Sequence, residues 1–341
     1  MKILVTGHLG YVGTVLTDYL LDLNHEVIGL DPGYYRERID HEEFETVKVI
    51  GQDLRDCDNL DLRNYDAVVN LAALSNDPIG ELDTRLTYEI NRDAAIKIAE
   101  IARAASVPRF IYVSTQSIYG ISKSDNEVQE DGIKSPQTAY AKSKWDAEQI
   151  LLEMNSSNFT VVALRPATVF GWSPRLRSDV VFNNLLLSGL RDSKISVHSD
   201  GTPWRPIVDV KDLARAICIS LTANTDDVGG EAFNIGNLNG NYTVREIAEA
   251  AQTCLGGIPI EFNTENITDP RSYQVSFLKA KEVLGFEAKS DLILAGKNLI
   301  AKLKKCDFPS GDYLGRRTNR LKQISYLVEK GELDESLRFR S

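Results

Sequence analysis

Three glycines at positions 7, 10 and 13 constrain this chain more than any other feature. They stand in Thr6-Gly7-His8-Leu9-Gly10-Tyr11-Val12-Gly13, between the apolar run Lys2–Thr6 and the helical pattern Tyr11–Leu23. A strand that turns this abruptly into a helix needs backbone room that a Cβ would fill, and glycine leaves it free. The helix then offers unpaired N–H groups and the positive end of its dipole, which suits a phosphate. Gly7, Gly10, Tyr11, Val12 and Gly13 are therefore expected to cradle a pyrophosphate. The next apolar run, Glu26–Leu30, ends at Asp31. A carboxylate there accepts hydrogen bonds from an adenosine ribose and repels a 2′-phosphate, so the expected dinucleotide is NAD rather than NADP.

Further strands are read at Thr46–Ile50, Ala67–Leu71, Arg109–Val113 and Thr160–Leu164, with helices at Thr84–Ala105 and Pro136–Met154. Strands alternating with helices imply parallel βαβ units. Near-continuous apolar strands such as Ile3-Leu4-Val5 fit a sheet buried on both faces. The expected fold is α/β: a Rossmann-type doubly wound parallel sheet with a smaller mixed α/β C-terminal substrate domain. After Arg165-Pro166 the regularity fades. Strand candidates follow at Ile207–Val210, Ala232–Ile235 and Pro259–Phe262. Helix candidates lie at Asp212–Leu221, Val244–Leu255, Phe277–Leu284 and Leu292–Leu303. The expected division is an NAD-binding domain over residues 1–166, to which segments of about 205–240 return. Residues 167–341 are mainly the substrate-binding domain and a charged tail, with Ile324–Leu337 as a surface helix or partner contact.

The 341 residues, 43 % hydrophobic and 26 % charged, are ordinary for a globular protein. Lys and Arg number 39 against 49 Asp and Glu, a formal net charge of −10. An acidic surface disfavours nucleic acid and anionic lipid as partners. No apolar stretch reaches the ~18 residues of a membrane span. Cys57, Cys218, Cys254 and Cys306 are scattered, so neither a metal site nor a disulfide framework is expected. The N-terminus runs directly into a strand with no leader pattern, and the expected location is cytoplasmic.

Asp53 and Leu54 follow the third strand, where a carboxylate can hold an adenine amino group and a leucine can pack on the ring. A helix N-cap is the other reading of Asp53. Leu71, Ala72 and Ala73 follow the fourth strand and leave room for a flat cofactor. Tyr140 and Lys144 sit at i and i+4 of a helix and so share a face. An ammonium beside a phenol lowers the phenol's pKa, and such a tyrosine can serve as general base toward a secondary alcohol. Thr115 ends the fifth strand, where ligands meet an α/β sheet, and its hydroxyl can bond the same substrate oxygen. Arg175 and Arg177 form a basic cluster in a proline-containing loop that can border a sugar or phosphate. Of the pair Asn183-Asn184 in the next helix, Asn183 is taken as the one that reaches the substrate.

These motifs, with Gly51–Asp56 (GQDLRD), Asn70–Ala73 (NLAA), Val113–Thr115 and Ile118–Gly120, Arg165–Gly171 (RPATVFG) and Asp200–Asp212 (DGTPWRPIVDVKD), carry a family resemblance. Over about residues 1–305 the chain resembles the extended short-chain dehydrogenase/reductases of the NAD-dependent nucleotide-sugar epimerase/dehydratase family. The resemblance implies NAD in the first domain, with Pro166 among its contacts, and a nucleotide-diphosphate sugar in the second. It makes Tyr140 the catalytic base. Lys144 holds the nicotinamide ribose and tunes Tyr140, and Thr115 bonds the sugar 4-hydroxyl. Hydride then passes from C4 to the nicotinamide, giving a 4-keto sugar. Arg205 and Arg271 match arginines that contact the diphosphate. Thr168 stands at a substrate-contacting position that often holds asparagine in 4-epimerases. Relatives form homodimers through helices equivalent to those near 84–105 and 137–154.

Departures narrow the reaction. The 4,6-dehydratases carry Asp-Glu directly after the threonine, where this chain has Gln116-Ser117. Decarboxylating relatives carry glutamate at Ser117, and 3,5-epimerising relatives use a cysteine that is missing here. A 4-epimerase leads, with a 4-dehydrogenase or 4-keto-sugar reductase as the alternative and a 4,6-dehydratase behind them. A non-catalytic NAD-binding regulator is the reading of a different class. His8 replaces the usual loop glycine and is read as a partly exposed loop histidine.

Overall fold

The computed structural model describes every residue except 38, 41–46, 76, 82, 122–126, 265–270 and 341. The first six strands are β1 (Lys2–Thr6), β2 (Glu26–Leu30), β3 (Lys48–Ile50), β4 (Ala67–Asn70), β5 (Arg109–Val113) and β6 (Thr160–Pro166). Later come β7 (Thr168–Phe170), β8 (Ile195–Val197), β9 (Trp204–Asp209), β10 (Glu231–Ile235), β11 (Asn241–Thr243) and β12 (Ile260–Phe262). A seven-stranded sheet runs in the order β10-β6-β5-β4-β1-β2-β3, and all its pairings are parallel. This is the expected Rossmann-type doubly wound sheet. Its order reverses between β1 and β4, the place where such sheets open a crevice at the C-terminal ends of their strands.

The longer helices are α1 (Tyr11–Asp22), α2 (Ala94–Ala104), α3 (Ala139–Glu153), α4 (Val181–Asp192), α5 (Val210–Thr222), α6 (Val244–Cys254), α7 (Leu278–Leu284), α8 (Leu292–Lys305) and α9 (Arg320–Glu329). Alternation along β1 decides which helix covers which face. Ile3 and Val5 pack with Leu16 and Leu20 of α1 and Leu213 and Ile217 of α5. Leu4 points the other way, to Ile98 and Ala102 of α2 and Leu151 of α3. Ala94, Ala95 and Ala102 are spent on this packing within the chain.

The helix expected over Thr84–Ala105 is broken. Thr84–Tyr88 is α-helical, Glu89–Asp93 is a π turn, and α2 follows. Such bulges commonly mark functional segments. Here the turn carries Asn91, whose amide accepts from Leu74 N–H at 2.8 Å and donates to the Leu74 carbonyl at 3.2 Å. That pins the loop after β4.

The smaller part has a three-stranded sheet, β11-β9-β7, and a two-stranded one, β12-β8. β7, β8 and β11 were not read from the sequence. The tail corrects another expectation. It does not lie free on the surface: Ile324, Leu327, Leu333 and Leu337 are buried with Tyr34, Leu74, Leu86 and Ile90.

His8 is also corrected. It is 2 % exposed, and its ring lies over Gly29, where an added Cβ would come 2.4 Å from the imidazole. Burial holds the imidazole down at about 4, so it is neutral at pH 7. Gly29→Ala is expected to cost about 1–3 kcal/mol through overpacking. The same change in a His8→Gly background should cost well under that, which urea denaturation of the two pairs would read.

Candidate active site

The glycine loop is built by close contacts. Gly7 has φ +73, and a Cβ on it would lie 2.9 Å from the Ala72 nitrogen. A Cβ on Gly13 would lie 2.2 Å from the Gly7 carbonyl oxygen. Gly10 caps α1 with no side-chain hydrogen bond, leaving the first N–H groups of the helix to a ligand. The loop opens into a cavity of about 560 Å³ at the C-terminal ends of the strands. Gly7, Gly10, Tyr11, Val12 and Gly13 all line it, and so do Leu71, Ala72 and Ala73 on the facing strand end.

Asp31 lines the same cavity. Its carboxylate accepts from Leu9 N–H at 3.1 Å and Gly33 N–H at 2.7 Å. Burial nevertheless pushes its pKa up to about 6, the two N–H groups opposing the shift. Asp53 and Leu54 line the cavity beyond it. Asp53 also caps the short helix Leu54–Asn59 and is gripped by Arg55 through bonds of 2.9 Å and 2.6 Å. Burial works against its charge, but the Arg55 hydrogen bonds win and hold Asp53 below the usual carboxylate range. The N-cap reading of Asp53 is therefore present as well.

At the other end of the cavity stand Thr115, Tyr140 and Lys144, with Pro166 and Thr168 beside them. Thr138 caps α3, which sets Tyr140 and Lys144 one turn apart toward β5. Thr115 is in hydrogen-bonding reach of the Tyr140 phenol. The expectation that Lys144 lowers the phenol's pKa is corrected. Burial raises the Tyr140 pKa, with Thr115 opposing, and Lys144 Nζ lies 4.1 Å over the Tyr112 ring. Lys144 is itself pushed down to about 7 by burial, with Glu148 on the next turn raising it. A dry pocket disfavours both charges, and the ammonium finds an aromatic face before it finds the phenol.

Arg205 and Arg271 both line the cavity. Arg205 bonds the Trp204 carbonyl at 2.8 Å and the Arg271 carbonyl. Arg271 pairs with Asp77 at 2.8 Å. The described residues contain no group of His, Cys, Asp and Glu able to hold a metal. Nor is any helix among them long and apolar enough to cross a membrane.

The model of the NAD dependent epimerase/dehydratase family matches residues 3–236. The chain belongs to that family. It is an NAD-dependent enzyme of the extended short-chain dehydrogenase/reductase type. YtcB of Bacillus subtilis (strain 168), described as an uncharacterized UDP-glucose epimerase, is 26 % identical over 319 residues, covering 89 % of this chain and 98 % of that protein. The UDP-glucose 4-epimerase of Mycolicibacterium smegmatis is 29 % identical over 300 residues, covering 84 % and 93 %. The structure of MoeE5 in complex with UDP-glucuronic acid and NAD superposes with a TM-score of 0.77 at 26 % identity, covering 89 % of this chain and 99 % of that one. The residues present fit the family cofactor. The crowded backbone at Gly7 and Gly13 leaves a cradle no side chain could occupy, and the helix end above it is uncapped.

In this epimerase/dehydratase family member two expected substrate residues miss the cavity. Asn183 is fully buried and faces backward, accepting from Gly171 N–H at 3.0 Å and donating to the Arg177 carbonyl at 2.9 Å. Its neighbour Asn184 lines the cavity instead. One step along a helix turns a side chain by roughly 100°, and only packing reveals which way. Arg175 is 5 % exposed and sits behind the cofactor loop, its charge acting on His8 and Asp31. The cause is the segment after β7, which doubles back over α1: Tyr11 Oη donates to the Gly171 carbonyl at 2.8 Å, and Ser173 Oγ to the Tyr11 carbonyl at 2.8 Å. Arg177 emerges into the cavity, bound to Asp179 at 2.8 Å. Sequence reasoning also missed Arg320, which reaches the cavity from the tail. No local motif announces it.

Proposed function

We propose that the protein is a nucleotide-sugar 4-epimerase working through a 4-keto intermediate. The observation that carries this reading is one cavity that holds the glycine loop at one end and Thr115, Tyr140 and Lys144 at the other, with no acid pair beside the threonine. Gln116 and Ser117 occupy those positions, and Gln116 Nε2 donates to the Arg165 carbonyl at 3.0 Å. An elimination of water needs a positioned acid and base there, and neither residue type serves.

NAD, when bound, supplies the means to take hydride from sugar C4 and to return it. Tyr140 takes the proton from the C4 hydroxyl and gives it back when the ketone is reduced. Thr115 holds the same oxygen through its hydroxyl. Lys144, in its ammonium form, holds the ribose side. Arg205, Arg271 and Asn184 hold the nucleoside diphosphate, while Thr168 borders the sugar. A homodimer in the cytoplasm belongs to the same reading, and sedimentation velocity reads its mass.

The direct test uses the purified protein, catalytic NAD and a panel of UDP-, dTDP-, GDP- and CDP-sugars, followed by proton NMR. Interconversion of a pair differing only at C4 is expected. NADH accumulating in step with product would replace the epimerase by a net C4 dehydrogenase.

Cofactor binding carries a pH signature. The Asp31 carboxylate must be charged to accept from ribose hydroxyls, and its pKa stands at about 6. Lowering the pH through 6 protonates it, so NAD affinity should be flat from pH 8 to 7. It should then weaken toward about tenfold per pH unit below 6. Isothermal titration from pH 8 to 5 measures this, and Asp31→Asn should bind weakly with no such slope.

A further inference from the structure

One wall of the dinucleotide end comes from outside the glycine loop. Arg320, the first residue of α9, lines it beside Arg177, Asp31 and Tyr35. It is 3 % exposed. Nη2 donates to the Arg175 carbonyl at 2.5 Å, and the guanidinium lies 4.4 Å over the Tyr35 ring. Among the described residues it makes no other hydrogen bond and no ion pair. The nearby carboxylate, Asp179, is already held by Arg177 at 2.8 Å and 3.2 Å. Burial pushes the Arg320 pKa down to about 10. Asp179 and Asp31 act on the guanidinium through space, but neither forms an ion pair with it, and its spare N–H donors face the cavity wall, where an anion can meet them. Arg320 and Arg177 both act electrostatically on Tyr11, the first residue of α1. The uncapped N–H groups of α1 begin at the same place.

We propose that Arg320 is a ligand of the NAD diphosphate, and that the C-terminal segment carrying it is a clasp that retains the cofactor between turnovers. The inference rests on the glycine loop being the dinucleotide site. A planar guanidinium with N–H donors to spare can bond two oxygens of a diphosphate at once. The segment is fastened on both sides of Arg320. Before it, Ser178 N–H donates to the Thr318 carbonyl at 2.8 Å. After it, Gln323 Nε2 donates to the Tyr34 carbonyl at 3.1 Å, Arg55 to the Ser336 carbonyl at 2.8 Å, and the Tyr34 hydroxyl to the Leu337 carbonyl. Tyr34 also lines the cavity, and its hydroxyl donates to Asp53 Oδ2 at 3.3 Å. A dinucleotide bonded by Arg320 leaves only when this segment shifts. Retention suits a reaction in which the cofactor ends each cycle as it began.

The test compares the full-length wild type with Arg320→Gln and Arg320→Lys, each stripped of bound nucleotide. Calorimetric titrations use ADP-ribose, which has the diphosphate, and adenosine, which lacks it. The rate of NAD release is followed separately. Arg320→Gln is expected to weaken ADP-ribose by about 10–100-fold, as for loss of a charge-assisted bond. Adenosine affinity should stay unchanged and NAD release should quicken in proportion. Arg320→Lys should fall between wild type and the glutamine variant, and it carries the test if the glutamine variant does not fold. Equal losses for both ligands would overturn the proposal in favour of a purely structural arginine, as would no loss for either. A wild type that binds neither NAD nor ADP-ribose would overturn the dinucleotide site itself.

Discussion

A Tyr140→Phe protein is expected to keep its fold and its NAD while losing turnover by about 10²–10⁴-fold. The substitution removes one oxygen and nothing else. Thr115, the hydroxyl neighbour of that oxygen, keeps a partner because its Oγ1 accepts from Ser117 N–H at 3.2 Å. No buried group is left stranded, so the melting temperature should move by a degree or two at most. On the proposed mechanism, the reaction loses the group that moves the C4 hydroxyl proton. Burial raises the Tyr140 pKa in this structure, so the wild type should be faster at alkaline pH until another group fails. Steady-state rates on the substrate found by NMR, with nucleotide content from absorbance, separate lost chemistry from lost cofactor. Turnover within a few-fold of wild type would remove Tyr140 from the reaction.

Glu148→Gln is expected to destabilise the protein by about 3–5 kcal/mol, the cost of stranding one member of a buried ion pair. Glu148 is fully buried, and its Oε1 accepts from Arg165 Nε at 2.9 Å and Nη2 at 2.6 Å. Arg165 is 3 % exposed and also bonds Tyr119 Oη at 2.9 Å and the Glu130 carbonyl at 2.8 Å. A glutamine leaves that guanidinium without its charge partner. Urea denaturation at pH 7 measures the loss. The same change reaches the active site, because the Glu148 charge raises the Lys144 pKa from one turn away. Without it Lys144 should lose its proton below the present value of about 7. The alkaline limb of the rate profile should then move to lower pH. Lost stability with an unmoved profile would confine Glu148 to a structural role.

The parts of this site that could be read early are those whose physics is local. Gly7 and Gly13 are required by atoms within a few residues of turn and the adjoining strand end. Tyr140 and Lys144 share a face because any helix puts i and i+4 together. The alternation of Ile3, Leu4 and Val5 announces a sheet covered on both faces. The unread parts depend on contacts between distant segments. Asn184 rather than Asn183 faces the cavity because α4 rolls to bury Phe182 and Asn183. Arg175 and Arg177 are two residues apart yet part company, because the segment after β7 is tied down on Tyr11.

The sequence by itself determined the strand–turn–helix that cradles a dinucleotide, the parallel sheet, the tyrosine and lysine on one helix face, and the family. Each follows from sterics and periodicity over a few residues. Only the tertiary structure decided that His8 is a buried neutral filler and that the Lys144 ammonium meets the Tyr112 ring. It alone brought α9 back across the chain to put Arg320 in the cavity wall. Burial and electrostatic environment are sums over residues far apart in the chain, so only folding brings them together.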